Sequence, residues 1–350
     1  MGQGTSKTSS APAARFVTTD AFKTTDAIKT RISQIDSKRT FKPIVTEHIP
    51  SVKPKDIKKT IEKAKEDSVA AFAPIPTCID YCIFEDNASE VWGGNSVIVD
   101  FANSQFSGNK ELDKCLGSIY GMAIGDSWGH TLEFVPVQYE KVIIKKLDKL
   151  HFSAPGVYNK FGLKAGQYTD DTSMGLCLAD SLLVSGHVDQ TDLRKRFVMW
   201  WFLGYNNAFR FDEQCRNSQL WFGRSVGLGG QISHSLQTFI QDHTSLWAEG
   251  SEDMSGNGSI MRLCPLPIFY RNEDVEFLVS EAMKQSFTTH SGLHSAECSA
   301  VLSYVIVCAL KSECTNGKDF LDSLDWGVLD DYIQSDTVKA LVKGEANKVS

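Results

Sequence analysis

Asp170 and Asp171 stand side by side in the segment Gly166-Gln167-Tyr168-Thr169-Asp170-Asp171-Thr172, just ahead of an apolar run with helical spacing. Adjacent carboxylates repel each other, so the pair is costly unless a positive charge sits between them. Two roles are open. A single Asp, or Thr172, suffices as the N-cap of the following helix, accepting from its free first-turn amides. Two carboxylates with a hydroxyl exceed that need, and they match the oxygen donors taken by a hard dication such as Mg²⁺.

Three further segments could do chemistry. In Cys115–Phe134, CLGSIYGMAIGDSWGHTLEF, Gly117, Gly121, Gly125 and Gly129 recur every four residues and share one helix face. Four such glycines cost roughly 4 kcal/mol of helix propensity relative to alanine. Close approach of a second backbone or of a ligand would offset that. Asp126 lies beside this bare face and Glu133 just beyond its end; tight helix packing with two solvated acids is the competing reading. Ser255-Gly256-Asn257-Gly258-Ser259-Ile260-Met261-Arg262 leads into a helix start, where free backbone amides suit a phosphate and Arg262 could add a forked donor. The same residues also make an ordinary loop. In Thr288-Thr289-His290-Ser291, with His294 four residues on, the two histidines could share a helix face as metal ligands or be structural. Gly227-Leu228-Gly229-Gly230 reads as a flexible loop of little specificity, since no strand precedes it.

The elements that must position these residues are helices. Met174, Cys177, Leu178, Ser181 and Leu182 fall on one stripe, as do Leu193, Phe197, Val198, Trp201 and Phe202. Val275, Leu278, Val279, Ala282, Met283 and Phe287 form a third, and Ala300–Leu310 is apolar on nearly every side, as a helix enclosed by others is. Strand signals are sparse: 141–147 in the body, and 78–84 and 96–101 ahead of it. The chain divides into a flexible basic leader (1–53), a helix from Pro54 followed by an irregular, short-strand segment (54–109), and a large helical domain (110–350).

With 350 residues, 42% of them hydrophobic and 23% charged, the chain can bury a large core without staples. Disordered, collagen-like and disulfide-scaffold classes are excluded. No run of about 18 consecutive apolar residues suggests a membrane span, and the N-terminus lacks a secretory apolar stretch. Nine scattered cysteines suit reduced thiols and a cytoplasmic setting better than paired bridges, and Cys78 with Cys82 lacks the second pair a zinc site needs. Residues 1–65 carry 14 Lys+Arg against 6 Asp+Glu, so of the total charge of −7 the remaining 285 residues hold −15. That acidic body argues against a broad nucleic-acid surface. The opening MGQGTS places Ser6 four residues after Gly2, the N-myristoylation pattern. A myristoyl chain with the basic leader would give weak membrane contact.

In order, GMAIGDSWGHTLEF, GQYTDDTSM, GNGSIMRLCPLPIFY and TTHSGLHSAECSA resemble the ADP-ribosylglycohydrolase family over roughly residues 110–310. The resemblance implies an all-α, orthogonal multi-helix fold with two Mg²⁺ (or Mn²⁺) ions in a cleft. It implies hydrolysis of an ADP-ribosyl linkage on a modified protein or a small molecule. By motif, Thr169, Asp170 and Asp171 correspond to metal ligands, with Asp170, Asp171 and Glu133 catalytic. Asn257, Gly258, Ser259 and His290 correspond to substrate-binding residues, and Asp126 and Asp212 are counted with them. Glu213-Gln214 departs from the family's Phe-Asp-Ile-Gly segment after Asp212. The family's later Asp-x-Asp-Thr metal motif has only the echo Asp336-Thr337, with Gln334 in place of the first Asp. The domain is therefore expected to be incomplete at its C-terminus, with one ion rather than two. The alternative is an inactive ADP-ribose-binding protein.

Overall fold

The computed structural model describes residues 19–44, 108–130, 133, 160–164, 166–211 and 225–345. Gly2, Asp212, the helix expected from Pro54 and all three expected strands lie outside these residues. Among the described residues the fold is all-α. Its helices are α1 (Thr19–Asp36), α2 (Lys110–Gly129), α3 (Asp170–Ser185), α4 (Gln190–Leu203) and α5 (Gly230–Gln241). They continue with α6 (Pro265–Phe269), α7 (Val275–Phe287), α8 (Leu293–Lys311), α9 (Gly317–Asp322) and α10 (Asp336–Val342).

The stripes read from the sequence become the core. Met174, Cys177, Leu178 and Leu182 of α3 pack with Leu193, Phe197, Val198 and Trp200 of α4, all nearly inaccessible to solvent. A second cluster joins Val279, Met283 and Phe287 of α7 to Leu293, Ala296, Ala300 and Tyr304 of α8. Helix α8 is long and apolar enough to cross a membrane by composition, with mean hydropathy 1.6 over 18 residues, but half of that window is buried among its neighbours. The six described cysteines are all unpaired thiols.

Two expectations are corrected. The leader is not flexible throughout, because Thr19–Asp36 is a helix docked on the domain. Ile28, Ile32 and Ile35 form a short stripe; Ile32 is buried in the α7–α8 cluster and Ile28 and Ile35 are half-buried. Three isoleucines are too few to stand out as periodicity, and apolar contact is what holds the helix. Ion pairs add to this docking: Arg31 pairs with Glu276 at 3.0 Å, Arg39 with Glu273 at 2.7 Å, and Asp36 with the buried Lys284 at 2.5 Å.

The second correction concerns the glycine face of α2. Side chains added at Gly117, Gly121, Gly125 or Gly129 would meet nothing within 4 Å, so among the described residues no backbone packs on this face. The close helix crossing is made by α3 instead. A Cβ at Gly175 would lie 2.7 Å from Met122 Sδ of α2. This approach brings Asp126, one turn beyond Met122, to the N-terminus of α3.

Candidate active site

A cavity of about 930 Å³ gathers nearly all the residues singled out from the sequence. One wall is the end of α2 (Gly125, Asp126, Gly129) with His130 and Glu133, and the start of α3 (Thr169, Asp170, Asp171). The other is Gly256, Asn257, Gly258, Met261 and His290. Lys160, Phe161, Trp201 and the 225–232 segment complete it.

The acidic wall is built by a cap supplied from another helix. Thr169 occupies the N-cap position of α3 but makes no side-chain cap bond. Asp126 does so in its place. Its carboxylate accepts from Thr169 N at 2.9 and 3.0 Å, from Thr172 N at 2.9 Å and from the Thr169 hydroxyl at 2.7 Å. Neither Asp171 nor Thr172 caps, contrary to the simpler sequence reading. Asp126, counted among substrate-binding residues, is buried and makes these bonds from the cavity lining.

With the amides satisfied by Asp126, neither Asp170 nor Asp171 is needed as the cap; Asp171 accepts only a long bond from the Thr169 hydroxyl, at 3.4 Å. Among the described residues neither makes an ion pair with Lys or Arg. Burial, then the Asp171 charge, holds the Asp170 carboxyl well above the usual carboxylate range. Burial and the neighbouring Asp126 push Asp171 up to about 6. Glu133 is raised too, first by burial, against the opposing pull of Lys160. Burial and mutual repulsion raise all three acids around one hollow, and Lys160 offsets this only at Glu133.

Gly227 shows how tightly this wall is built. Its φ is +91°, open to glycine, and a Cβ there would collide with Asp170 Oδ1. The segment dismissed as a nonspecific loop therefore holds a catalytic candidate in place. Trp201, read as one more core residue of α4, is half-buried and lines the cavity. Its stripe gave no sign of this. The glycines 227, 229 and 230 were the available signal for the loop.

On the opposite wall several expectations are revised. Ser259 is fully buried and turned away from the cavity: its hydroxyl lies 3.3 Å from Ser299 Oγ and accepts from Ser286 Oγ at 2.9 Å. It braces the loop from behind. Arg262, expected to reach a phosphate, is also fully buried. The segment from Ser255 forms a 3₁₀ turn at Asn257–Ser259 rather than running into a helix. His290 and His294 do not share a helix face, because His290 lies before α8 begins and the exposed His294 lies within it. Asp336 starts α10, away from the cavity lining.

Two carboxylates without basic partners and the Thr169 hydroxyl fit one side of a hard ion's oxygen shell. Among the described residues no group of three or more His, Cys, Asp or Glu side chains could hold a metal ion. The acidic wall thus supplies part of a coordination sphere.

The cavity of this helical domain sets the acids of α2 and α3 against a glycine-rich loop and a histidine. A sequence model of the ADP-ribosylglycohydrolase family matches residues 107–347, and the chain belongs to that family. It is 31% identical over 198 residues to the ADP-ribosylarginine hydrolase Tri1 of Serratia proteamaculans (strain 568), covering 57% of this chain and 48% of that one. It is 30% identical over 153 residues to the ADP-ribosyl-dinitrogen reductase glycohydrolase of Rhodospirillum rubrum, covering 44% and 43%. A solved structure titled as an ADP-ribosylglycohydrolase-related protein complex aligns with a TM-score of 0.46 at 25% identity, covering 67% and 68%. The chain spans about half the length of the curated relatives it matches. Helix α1 lies outside the family match.

Proposed function

We propose that this chain hydrolyses an ADP-ribosyl linkage, on a modified protein or a small molecule, with Mg²⁺ or Mn²⁺ held at Asp170, Asp171 and the Thr169 hydroxyl. The observation that carries this reading is the cap transferred to Asp126, which leaves two adjacent carboxylates at the cavity with no ion pair to a described Lys or Arg. A cation held by these residues would supply positive charge to polarise the substrate's oxygens. Water adds across the bond from the anomeric carbon to the modified group, giving ADP-ribose and the free side chain. Charge building on the anomeric carbon is favoured by carboxylates around it. Glu133, whose burial strengthens its hold on a proton, is suited to orient the water and take its proton. Gly256–Gly258 and His290 receive the diphosphate on the wall that bears no acid. Relatives named for ADP-ribosylarginine and ADP-ribosyl-dinitrogen reductase support an ADP-ribosylated protein as the substrate class.

The test is release of ADP-ribose from an ADP-ribosylarginine peptide by the full chain, with Mg²⁺ or Mn²⁺ and with chelator. Release that chelator stops is expected. The lack of a complete ligand set among the described residues favours one other reading, an ADP-ribose-binding protein without turnover. Binding of ADP-ribose with no release under any of these metals would establish it and overturn the enzyme assignment.

A further inference from the structure

The guanidinium of Arg262 is fully buried behind the glycine-rich loop. It donates from Nε to Gln285 Oε1 at 3.0 Å and from Nη2 to the Gln285 carbonyl at 2.9 Å. Nη2 also donates to the hydroxyls of Thr288 at 3.3 Å and Thr289 at 2.9 Å, while Nη1 is buried with no partner. It stacks 4.6 Å from the Phe197 ring centroid. No carboxylate among the described residues pairs with it. A charge in that position is expensive unless something balances it, and every partner present is neutral.

Thr289 carries the next step. Its oxygen already accepts from Arg262, which can only donate, and lies 2.8 Å from His290 Nδ1. The hydroxyl has one proton, and no other acceptor for it stands among the described residues. Donation to Nδ1 would satisfy that proton and leave the imidazole proton on Nε2. That nitrogen lies against the cavity loop: Cβ atoms built at Gly258 and Gly256 would sit 3.1 and 3.6 Å from it. Nε2 makes no hydrogen bond to a described residue. Burial, then the Arg262 charge, also lowers the His290 pKa to about 3, so the ring is neutral.

We propose that Arg262 is the positioning residue and buried counter-charge of the anion-binding wall: through Thr289 it sets His290 as a neutral Nε2–H donor to the cavity, and the ligand's diphosphate balances its own charge. The counter-charge half rests on the reading that this cavity takes ADP-ribose; the tautomer half does not.

The experiment uses the full chain with ¹⁵N-labelled histidine and a long-range ¹H–¹⁵N spectrum to read the ring nitrogens of His290, with calorimetry of ADP-ribose and of adenosine alongside. In the unmodified protein Nε2 should carry the proton and the ring should not titrate between about pH 5 and 8. Thr289→Val should shift the proton population toward Nδ1 and weaken ADP-ribose about tenfold, with adenosine unaffected, while Thr289→Ser should restore both. A proton found on Nδ1 in the unmodified protein overturns the relay, and needs no variant to fold. Thr289→Val with an unchanged spectrum and unchanged affinity overturns it as well. The Nε2–H form without any ADP-ribose binding sinks the counter-charge half and the cavity assignment, and leaves the relay standing.

Discussion

Helices α3 and α10 begin alike and end up with different work. Each opens on an aspartate, Asp170 or Asp336, followed within two residues by a threonine, and each borrows a carboxylate from a neighbouring helix. At α3 the accepting carboxylate is that of Asp126 of α2. At α10 it is Glu297 of α8, which accepts from the amides of Gln334 and Ser335. The difference lies in what surrounds the borrowed cap. Ser335 also caps α10 itself, through Val338 N at 3.4 Å, and Asp336 and Thr337 are exposed. Helix α3 has no cap of its own, and its aspartates are pressed into a cavity with nothing positive between them. An Asp-led helix start becomes a candidate site only where the cap comes from elsewhere and the freed acids face a hollow. That also explains why the Asp336-Thr337 echo of a metal motif is a surface helix start.

The sharpest way to break this comparison is to remove the first-turn acids from both helices. Asp170→Ala with Asp171→Ala should lower metal-dependent ADP-ribose release by about 10³-fold or more, and Asp336→Ala with Thr337→Ala should leave it within about twofold. Equal effects would show that the two helix starts are the same kind of feature. Removing the borrowed caps is the next largest test. Asp126→Ala leaves two amides and a hydroxyl without their charged acceptor and should lower unfolding free energy by about 2 kcal/mol in denaturant melts. Glu297→Ala should cost about 1 kcal/mol, because Ser335 still caps α10.

A further test is a pH dependence confined to the second helix. Burial lifts Glu297 to about 7, against the two amides that favour its charged form. From the ordinary glutamate range up to about 7 the folded protein keeps this proton and the unfolded chain has lost it. Stability therefore declines as pH rises through that window, by on the order of 1–2 kcal/mol. Melts of Glu297→Gln should lack this decline; a difference between the two proteins that stays constant with pH would contradict it.

Much of this was legible in the sequence. The apolar stripes of α3, α4, α7 and α8 predicted their helices because each buries a continuous face. The motifs carrying Asp170, Asp171, Gly258 and His290 did meet in one cavity. What escaped was decided by contacts between distant residues. Asp126 and Thr169 are 43 positions apart, so nothing local identifies one as the cap of the other. Ser259 and Arg262 belong to a motif that reads as ligand-facing, yet the 3₁₀ turn aims both inward. Docking of α1 rests on three isoleucines and on charges whose partners lie some 240 residues away.

The central claim is that the carboxylates freed at α3 hold a divalent cation beside a wall that receives an anion. Calorimetric titration of ADP-ribose with Mg²⁺ and with chelator, in the unmodified protein and in Asp170→Asn with Asp171→Asn, tests it most directly. Tighter binding with Mg²⁺ in the unmodified protein, and loss of that gain but not of chelator-resistant binding in the variant, is the predicted result. An affinity in the unmodified protein that Mg²⁺ leaves unchanged would contradict it.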